Sequence, residues 1–441
     1  MSLPDPKQFR RVFAGLLLAM LLASLDQTIV TTALPTIVRD LGGLDQLSWV
    51  VTAYLLGATV SVPLWGRASD LYGRKALFMA AIGVFLTGSA LSGLAGTLGQ
   101  LVAFRALQGL GAGGLMTLAM AIVGDIVSPR ERGRYQGYIQ MIFVLASIAG
   151  PLLGGLFADH ASWRSVFYVN LPIGAACLTL IGTSLHLPVE RKPVKLDYLG
   201  AALLAGSLTC LLLATTRDAY VLYAGFALLL VAFVAQERRA KEPVLPLRLF
   251  KTPVFDIVSA ALFLTTLAFF AVIVFMPVFL QTVVGVSATT SGVLLLALLL
   301  GATASTTASG RAISRTGRYK RFPLIGLAVM AVGLIALSTL HADSSKATIV
   351  ALLALFGLGF GLVSQVLTVA IQNAVDRSDL GIATASANLF RSLGGAIGTA
   401  IYGALYTGAS IFLYAAPAAI LGFVVVLLLE ELPLRGAVAA R

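Results

Sequence analysis

Long apolar runs, each about the length needed to cross a bilayer, follow one another along the whole chain, separated by short charged or Gly/Pro-rich breaks. A helix rises about 1.5 Å per residue, so roughly 20 apolar residues span the hydrocarbon. Fourteen runs meet that test: 12–38, 46–65, 76–96, 100–124, 136–157, 165–186, 197–216, 219–235, 254–281, 288–309, 321–341, 347–372, 381–407 and 410–432. They predict an all-α integral membrane protein with fourteen transmembrane helices. The eighth run is short and the last two are nearly fused, so thirteen is the alternative count. The first run has the look of a signal peptide, but it carries Asp26 and Pro35 and pairs with a later run in an internal repeat, so it is read as a span.

Composition supports the same class. Of 441 residues, 58% are hydrophobic and 11% charged, with mean hydropathy +0.94. An ordinary soluble domain carries about 25% charged residues. This excludes a water-soluble enzyme and a nucleic-acid-binding protein, despite a net charge of +12. Charge placement explains the basic excess. With the N-terminus in the cytoplasm and the runs alternating, 25 of the 31 Lys and Arg fall in cytoplasmic segments. Only Arg39, Arg164, Arg217 and Lys346 fall outside, and Arg105 and Arg391 lie within runs. That is a strong positive-inside bias and predicts both termini in the cytoplasm. The two cysteines, Cys177 and Cys210, sit in apolar runs and the chain has three histidines, so neither a disulfide framework nor a metal site is expected.

Residues 66–75 read GRASDLYGRK and residues 310–318 read GRAISRTGR. Gly66 and Gly73 match Gly310 and Gly317 at an offset of 244. The same offset pairs LLGAT at 55–59 with LLGAT at 299–303, and Gly137, Gly150 and Gly154 with Gly381, Gly394 and Gly398. The chain therefore reads as two related six-helix halves, residues 1–190 and 253–441, with two inserted helices and linkers in 191–252. Duplicated halves around a central cavity are the architecture of alternating-access transporters.

Several segments carry more than topology. In Gly66–Lys75 the glycines permit a tight turn between spans 2 and 3, Asp70 can sit near a helix N-terminus, and Arg74 can pair with a carboxylate on a neighbouring span. Span 4 carries Arg105-Ala106-Leu107-Gln108-Gly109-Leu110-Gly111-Ala112-Gly113, which sets Arg105 and Gln108 on one helix face. Span 5 carries Gly150-Pro151-Leu152-Leu153-Gly154-Gly155, small residues that permit close backbone approach beside a helix-bending proline.

With Leu25-Asp26-Gln27-Thr28-Ile29-Val30-Thr31-Thr32-Ala33-Leu34-Pro35 in span 1, and Trp163-Arg164 followed by Phe167, Asn170, Leu171, Pro172, Ile173 and Gly174 at the entry to span 6, the chain resembles the major facilitator superfamily. Within it, the chain is most similar to the fourteen-helix drug:proton antiporter family. The pattern of the 66–75 segment in that family is G-x-L-x-D-R-x-G-R-K; here Ala68 replaces the usual Leu and Leu71 the usual Arg, and Thr31 replaces an Asn in span 1. The resemblance implies a major facilitator fold of two six-helix halves plus two extra helices. It implies that Gly66, Asp70, Gly73 and Arg74 form a conformational latch. It further implies that Gly150, Pro151, Gly154 and Gly155 form the antiporter motif that marks exporters rather than uptake symporters.

Nearly all of the 19 acidic residues lie in loops or at span ends, and Asp26 alone sits deep in a run. It lies about 21 Å from the inner end of span 1, and Arg105 about 27 Å from the inner end of span 4, which runs the other way. The two fall at similar depth. Burial raises a carboxyl pKa and a nearby guanidinium lowers it, so an acid that alternates between such surroundings can load and release a proton. Asp26 is the expected proton carrier and Arg105 its tuning partner. Asp256 lies near the inner end of span 9 and reads as an interfacial anchor. Arg391 lies about 15 Å into span 13, in Phe390-Arg391-Ser392-Leu393-Gly394-Gly395, too deep to be incidental. An apolar substrate cavity with a few polar groups would draw on Thr28, Thr31, Gln108, Gln140, Phe269, Phe270, Gln365, Asn388 and Arg391.

The expected function is proton-coupled multidrug efflux of lipophilic neutral or monovalent cationic compounds, since span 10 contains no acid. The alternative is export of one metabolite, such as a siderophore or amino-acid derivative. No GxxxxGK[ST] loop is present, so an ATP-driven pump is not expected. The expected partners are protons, small-molecule substrates and membrane lipids, and the expected driving force is a proton gradient without a cofactor. The expected setting is a bacterial cytoplasmic (inner) membrane, and the expected state a monomer.

Overall fold

The computed structural model describes residues 6–42, 47–127, 132–185, 197–216, 220–240, 245, 247–375 and 380–432. Among these residues the regular structure is helical throughout. The first seven helices are α1 (Pro6–Leu41), α2 (Leu47–Tyr72), α3 (Arg74–Leu94), α4 (Leu98–Ile126), α5 (Arg132–His160), α6 (Ser165–Tyr168) and α7 (Asn170–Ser184). Two follow as α8 (Tyr198–Thr216) and α9 (Tyr220–Arg239), and a 3-10 turn, Leu247–Lys251, leads into the rest. Those are α10 (Pro253–Thr282), α11 (Ala288–Thr316), α12 (Arg321–Leu337), α13 (Lys346–Ala374), α14 (Leu380–Ala404) and α15 (Ser410–Leu427). Because α6 and α7 share one apolar run, these fifteen helices occupy the fourteen runs seen in the sequence. Eleven stretches of the described residues are long and apolar enough to cross a membrane, with Ser165–Ser184 counted as one. The segments Leu199–Leu211 and Arg321–Leu337 are shorter apolar helices.

The chain divides into two compact units, residues 1–244 and 245–441. In the first, α1 packs on α5 and α7, α4 packs on α2 and α3, and the α8–α9 pair joins through α2. In the second, α10 packs on α14, α15 and α13, and α13 packs on α11 and α12.

Glycine sets the closeness of these helices, and it does so in the same places in both units. A methyl group on Gly57 of α2 would lie 2.5 Å from the Ala106 carbonyl of α4; one on Gly301 of α11 would lie 2.7 Å from the Ala354 carbonyl of α13. Gly109 and Gly113 of α4 press on the backbone of Tyr54 and Ala58, as Gly357 and Gly361 of α13 press on Leu298 and Ala302. Without side chains at these points, backbones approach until dispersion contacts are made along the whole seam. The repeat also reaches helix ends. Thr97 and Ser345 cap α4 and α13 by accepting the backbone N–H three residues on. Lys75 donates to the Gly182 carbonyl in the last turn of α7 (2.7 Å), and Lys320 donates to the Leu427 carbonyl at the end of α15 (2.9 Å). Each is a cation on the negative end of a helix.

The 66–75 segment differs from its sequence reading in one respect. Gly66 does not turn: α2 continues through it to Tyr72, and the chain reverses only at Gly73, at φ +90°. Gly310 is likewise inside α11, and Gly317 ends that helix in the left-handed region at φ +69°. One positive-φ glycine per junction suffices to turn the chain, so each first glycine is a helical residue. Gly66 has only Thr117 Cγ2 within ordinary contact of a would-be Cβ.

Candidate functional site

Asp26 lies mid-way along α1, whose neighbours on that face come from α4 and from the α6–α7 break. On α4, Arg105 and Gln108 stand three residues apart and so point the same way. Between α6 and α7 the helix is interrupted, and Pro172 has no N–H to return to the Tyr168 carbonyl. Asn170 opens α7 there and turns its amide inward.

These groups close on one carboxylate. Arg105 Nη1 forms an ion pair with Asp26 Oδ2 at 2.5 Å and donates to Gln108 Oε1 at 2.8 Å. Gln108 Nε2 donates to Asp26 Oδ1 at 2.8 Å, and Asn170 Nδ2 donates to the same oxygen at 2.9 Å. Asn170 Nδ2 also reaches Ser89 Oγ of α3 at 2.9 Å, and Ser89 donates to the Phe167 carbonyl at 2.8 Å. The guanidinium is held from behind: its Nε donates to the Val50 carbonyl at 3.3 Å, and its carbon sits 4.1 Å from the centre of the Tyr54 ring. Tyr54 OH donates to the Ala23 carbonyl of α1 at 3.2 Å. Asp26, Gln108, Asn170 and Ser89 are 0% exposed and Arg105 is 1% exposed. Two opposite charges buried this deeply hold only because each is both paired and hydrogen-bonded.

The depth match of Asp26 and Arg105 read from the sequence is thus direct contact. Ser89, Tyr54 and Asn170 were not picked out as site residues. Asn170 was present in the span 6 entry pattern; its signal was an amide beside a proline in an otherwise apolar run.

The Gly150–Gly155 segment of α5 lies against α1 about one turn from this cluster. Gly150 of α5 presses on Thr28, and Gly154 presses on the Ile29 carbonyl, one turn along α1 from Asp26. Pro151 and Gly155 are buried in α5. The hydroxyl of Thr28 donates to the Ala146 carbonyl of α5 at 3.0 Å, and that of Thr31 donates to the Thr28 carbonyl at 2.8 Å. Both threonines, expected to line a cavity, spend their hydroxyls on backbone. At the end of α4, Asp125 Oδ2 pairs with Arg74 Nε of α3 at 2.5 Å, so Arg74 has the carboxylate partner on a neighbouring span that its position allowed. The side chains of Asp70 and Gln140 lie outside the described residues.

Among the described residues the second unit has no counterpart of the charged cluster. Gly88 of α3 lies against Gln108, and Gly333 of α12 lies against Phe356 in the same way. Phe356 therefore stands where the first unit has Gln108, and three residues before it Leu353 stands where the first unit has Arg105. Aromatic packing fills the space. Phe269 of α10 stacks on Phe360 at 4.0 Å between ring centres and touches Phe270 edge-on at 6.0 Å. The Phe270 ring packs over Gly395 of α14. Gln365 and Asn388 are exposed. Arg391 Nη2 donates to Thr368 Oγ1 at 2.9 Å and to the Ser364 carbonyl at 3.3 Å. Asp256 is exposed in the first turn of α10, as expected of an end anchor.

Comparison with known proteins agrees with this architecture. The family description Major Facilitator Superfamily matches residues 16–399 and, again, 258–441. The chain is 37% identical over 418 residues to the multidrug transporter protein MdtP of Bacillus subtilis (strain 168), covering 92% of this chain and 77% of that one. It is 39% identical over 414 residues to the uncharacterized MFS-type transporter Rv1877 of Mycobacterium tuberculosis (strain ATCC 25618 / H37Rv), covering 91% of this chain but only 60% of that relative's length. Among solved structures, a D-xylose-proton symporter superposes with a TM-score of 0.72 at 15% identity, covering 96% of this chain and 98% of that one.

Proposed function

This chain belongs to the Major Facilitator Superfamily, a family of multi-pass membrane transporters and not of enzymes, and from that premise we propose that it is a proton-coupled multidrug efflux antiporter. Its substrates are lipophilic compounds, neutral or singly cationic, and its membrane is the bacterial cytoplasmic membrane with both termini inside. The name of the Bacillus relative supports the drug reading. The observation that carries the coupling is the buried Asp26 carboxylate, which accepts from Arg105, Gln108 and Asn170 together.

That carboxylate has two chemically distinct states. Ionised, it holds α1, α4 and the start of α7 through three donors. Protonated, it loses its charge and becomes a donor on one oxygen, which then faces a donor or must turn away. Arg105 is left as a buried cation short of its counter-charge, a costly arrangement. Relief requires movement of α1 relative to α4, and such movement exposes the cluster to a different side. Gly150 and Gly154 carry movement of α1 directly to α5, since no side chain cushions that contact. Loading the proton outside and releasing it inside then drives drug the other way.

Asp26→Asn keeps the shape and fixes the neutral state. Its expected outcome is loss of efflux driven by a pH gradient in everted vesicles, with normal expression and retained drug binding. Gradient-driven efflux near wild-type rate in that variant would overturn the proposal.

A further inference from the structure

Among the described residues of the second unit, Arg391 is a cation set deep within a helix. Arg391 lies 11 residues into α14, roughly 16 Å from its start. Among the described residues it pairs with no carboxylate; only its Nη2 is engaged, and its Nε has no acceptor. Arg105 of the first unit is by contrast matched by Asp26. An unpaired guanidinium within a span is stable only beside water or an anion.

The surroundings of Arg391 are graded. Phe356, Phe360, Ser364, Thr368 and Gln372 follow one another at i, i+4 along α13 and so form one ridge. Its first part is aromatic, with Phe360 stacked on Phe269. Its middle holds the two groups that bind Arg391 Nη2. Its last residue, Gln372, is exposed and donates to Thr384 of α14 at 3.2 Å. Asn388, three residues before Arg391 on the same face of α14, is exposed, as is Gln365 beside Ser364. Exposed amides are expensive against lipid tails, so this face of α13 and α14 borders water. Aromatic rings, a cation with unspent hydrogens and open amides follow in that order along about three turns, a gradation that suits an amphipathic aromatic acid.

We propose that Arg391, with the Phe269–Phe360 pair one turn away, recognises a substrate carboxylate, so that the exported compounds include zwitterionic aromatic molecules of no net charge. The assignment rests on the efflux reading above and extends its neutral class. The guanidinium is planar and always charged, and with Nη2 held by Ser364 and Thr368 its Nε and Nη1 hydrogens are left to donate to a carboxylate oxygen.

The test is equilibrium binding to purified protein in phosphatidylcholine nanodiscs, whose headgroups carry no net charge, without any gradient. The probes are a quinolone with a free carboxylate and its methyl ester. Arg391→Gln is expected to weaken the acid at least tenfold while leaving the ester within twofold, and Arg391→Lys to restore part of the loss. Equal weakening of acid and ester, or unchanged binding of the acid, would overturn this assignment alone. Wild-type protein that binds neither probe would likewise overturn this assignment and leave the efflux reading to its own test, whereas failure of Asp26→Asn to stop efflux leaves this assignment standing.

Discussion

Three donors converge on Asp26, and they do not do the same work. Arg105 brings the counter-charge; Gln108 and Asn170 add neutral hydrogen bonds. A hydrogen bond to a charged group is worth about 1.5–3 kcal/mol. Asn170→Leu keeps the volume and removes a donor, so the detergent melting temperature is expected to fall by several degrees. An unchanged melting temperature would show that this bond adds nothing net to stability. Asp26 and Arg105 were legible from sequence because a charge in an apolar run is conspicuous. Asn170 was not, because an uncharged amide near a helix start has many ordinary uses, and its neighbour in space comes from 144 residues away. Thr28 and Thr31 show the opposite case: a threonine hydroxyl is easily taken up by a backbone carbonyl, that of Ala146 in α5 for Thr28 and that of its own helix for Thr31.

The helices are positioned by what the glycines lack. Gly57 sits where a methyl would meet the Ala106 carbonyl at 2.5 Å, and that carbonyl is backbone and cannot swing aside. Gly83 of α3 has nothing within 4 Å of a would-be Cβ. Gly57→Ala is expected to destabilise by about 1–3 kcal/mol through overpacking, visible as a drop of several degrees in the detergent melting temperature. Gly83→Ala is expected to melt at or slightly above wild type, helped by helix propensity. Most element boundaries were legible because a span must be long and apolar, but α1 begins six residues early and α2 and α11 run seven residues past their apolar runs, since polar helix ends carry no hydropathy signal. The interruption between α6 and α7 and the helical state of Gly66 were not, since hydropathy is blind to a broken hydrogen-bond ladder and to which of two glycines turns the chain.

At the scale of the molecule, duplication explains the scaffold, and divergence explains the chemistry. The two units share close-approach glycines, helix caps and lysine-tipped helix ends, yet only the first buries a carboxylate in mid-span among the described residues. The repeat was legible because glycines at constant spacing survive wherever backbones touch; the asymmetry was not, because it depends on which side chains meet across helices. If Asp26 is the single proton carrier, as proposed, that asymmetry has an electrical consequence. One proton entering against one monovalent cation leaving transfers no net charge, so such export responds to the pH gradient alone. One proton entering against a zwitterion carries a positive charge inward, and membrane voltage then adds about 2.3 kcal/mol for each 100 mV. In proteoliposomes clamped by a potassium gradient and valinomycin, an inside-negative potential in the proton-uptake direction is expected to accelerate export of the zwitterion and leave export of the cation unchanged. The same pump would thus draw on two different batteries, according to the charge of its cargo.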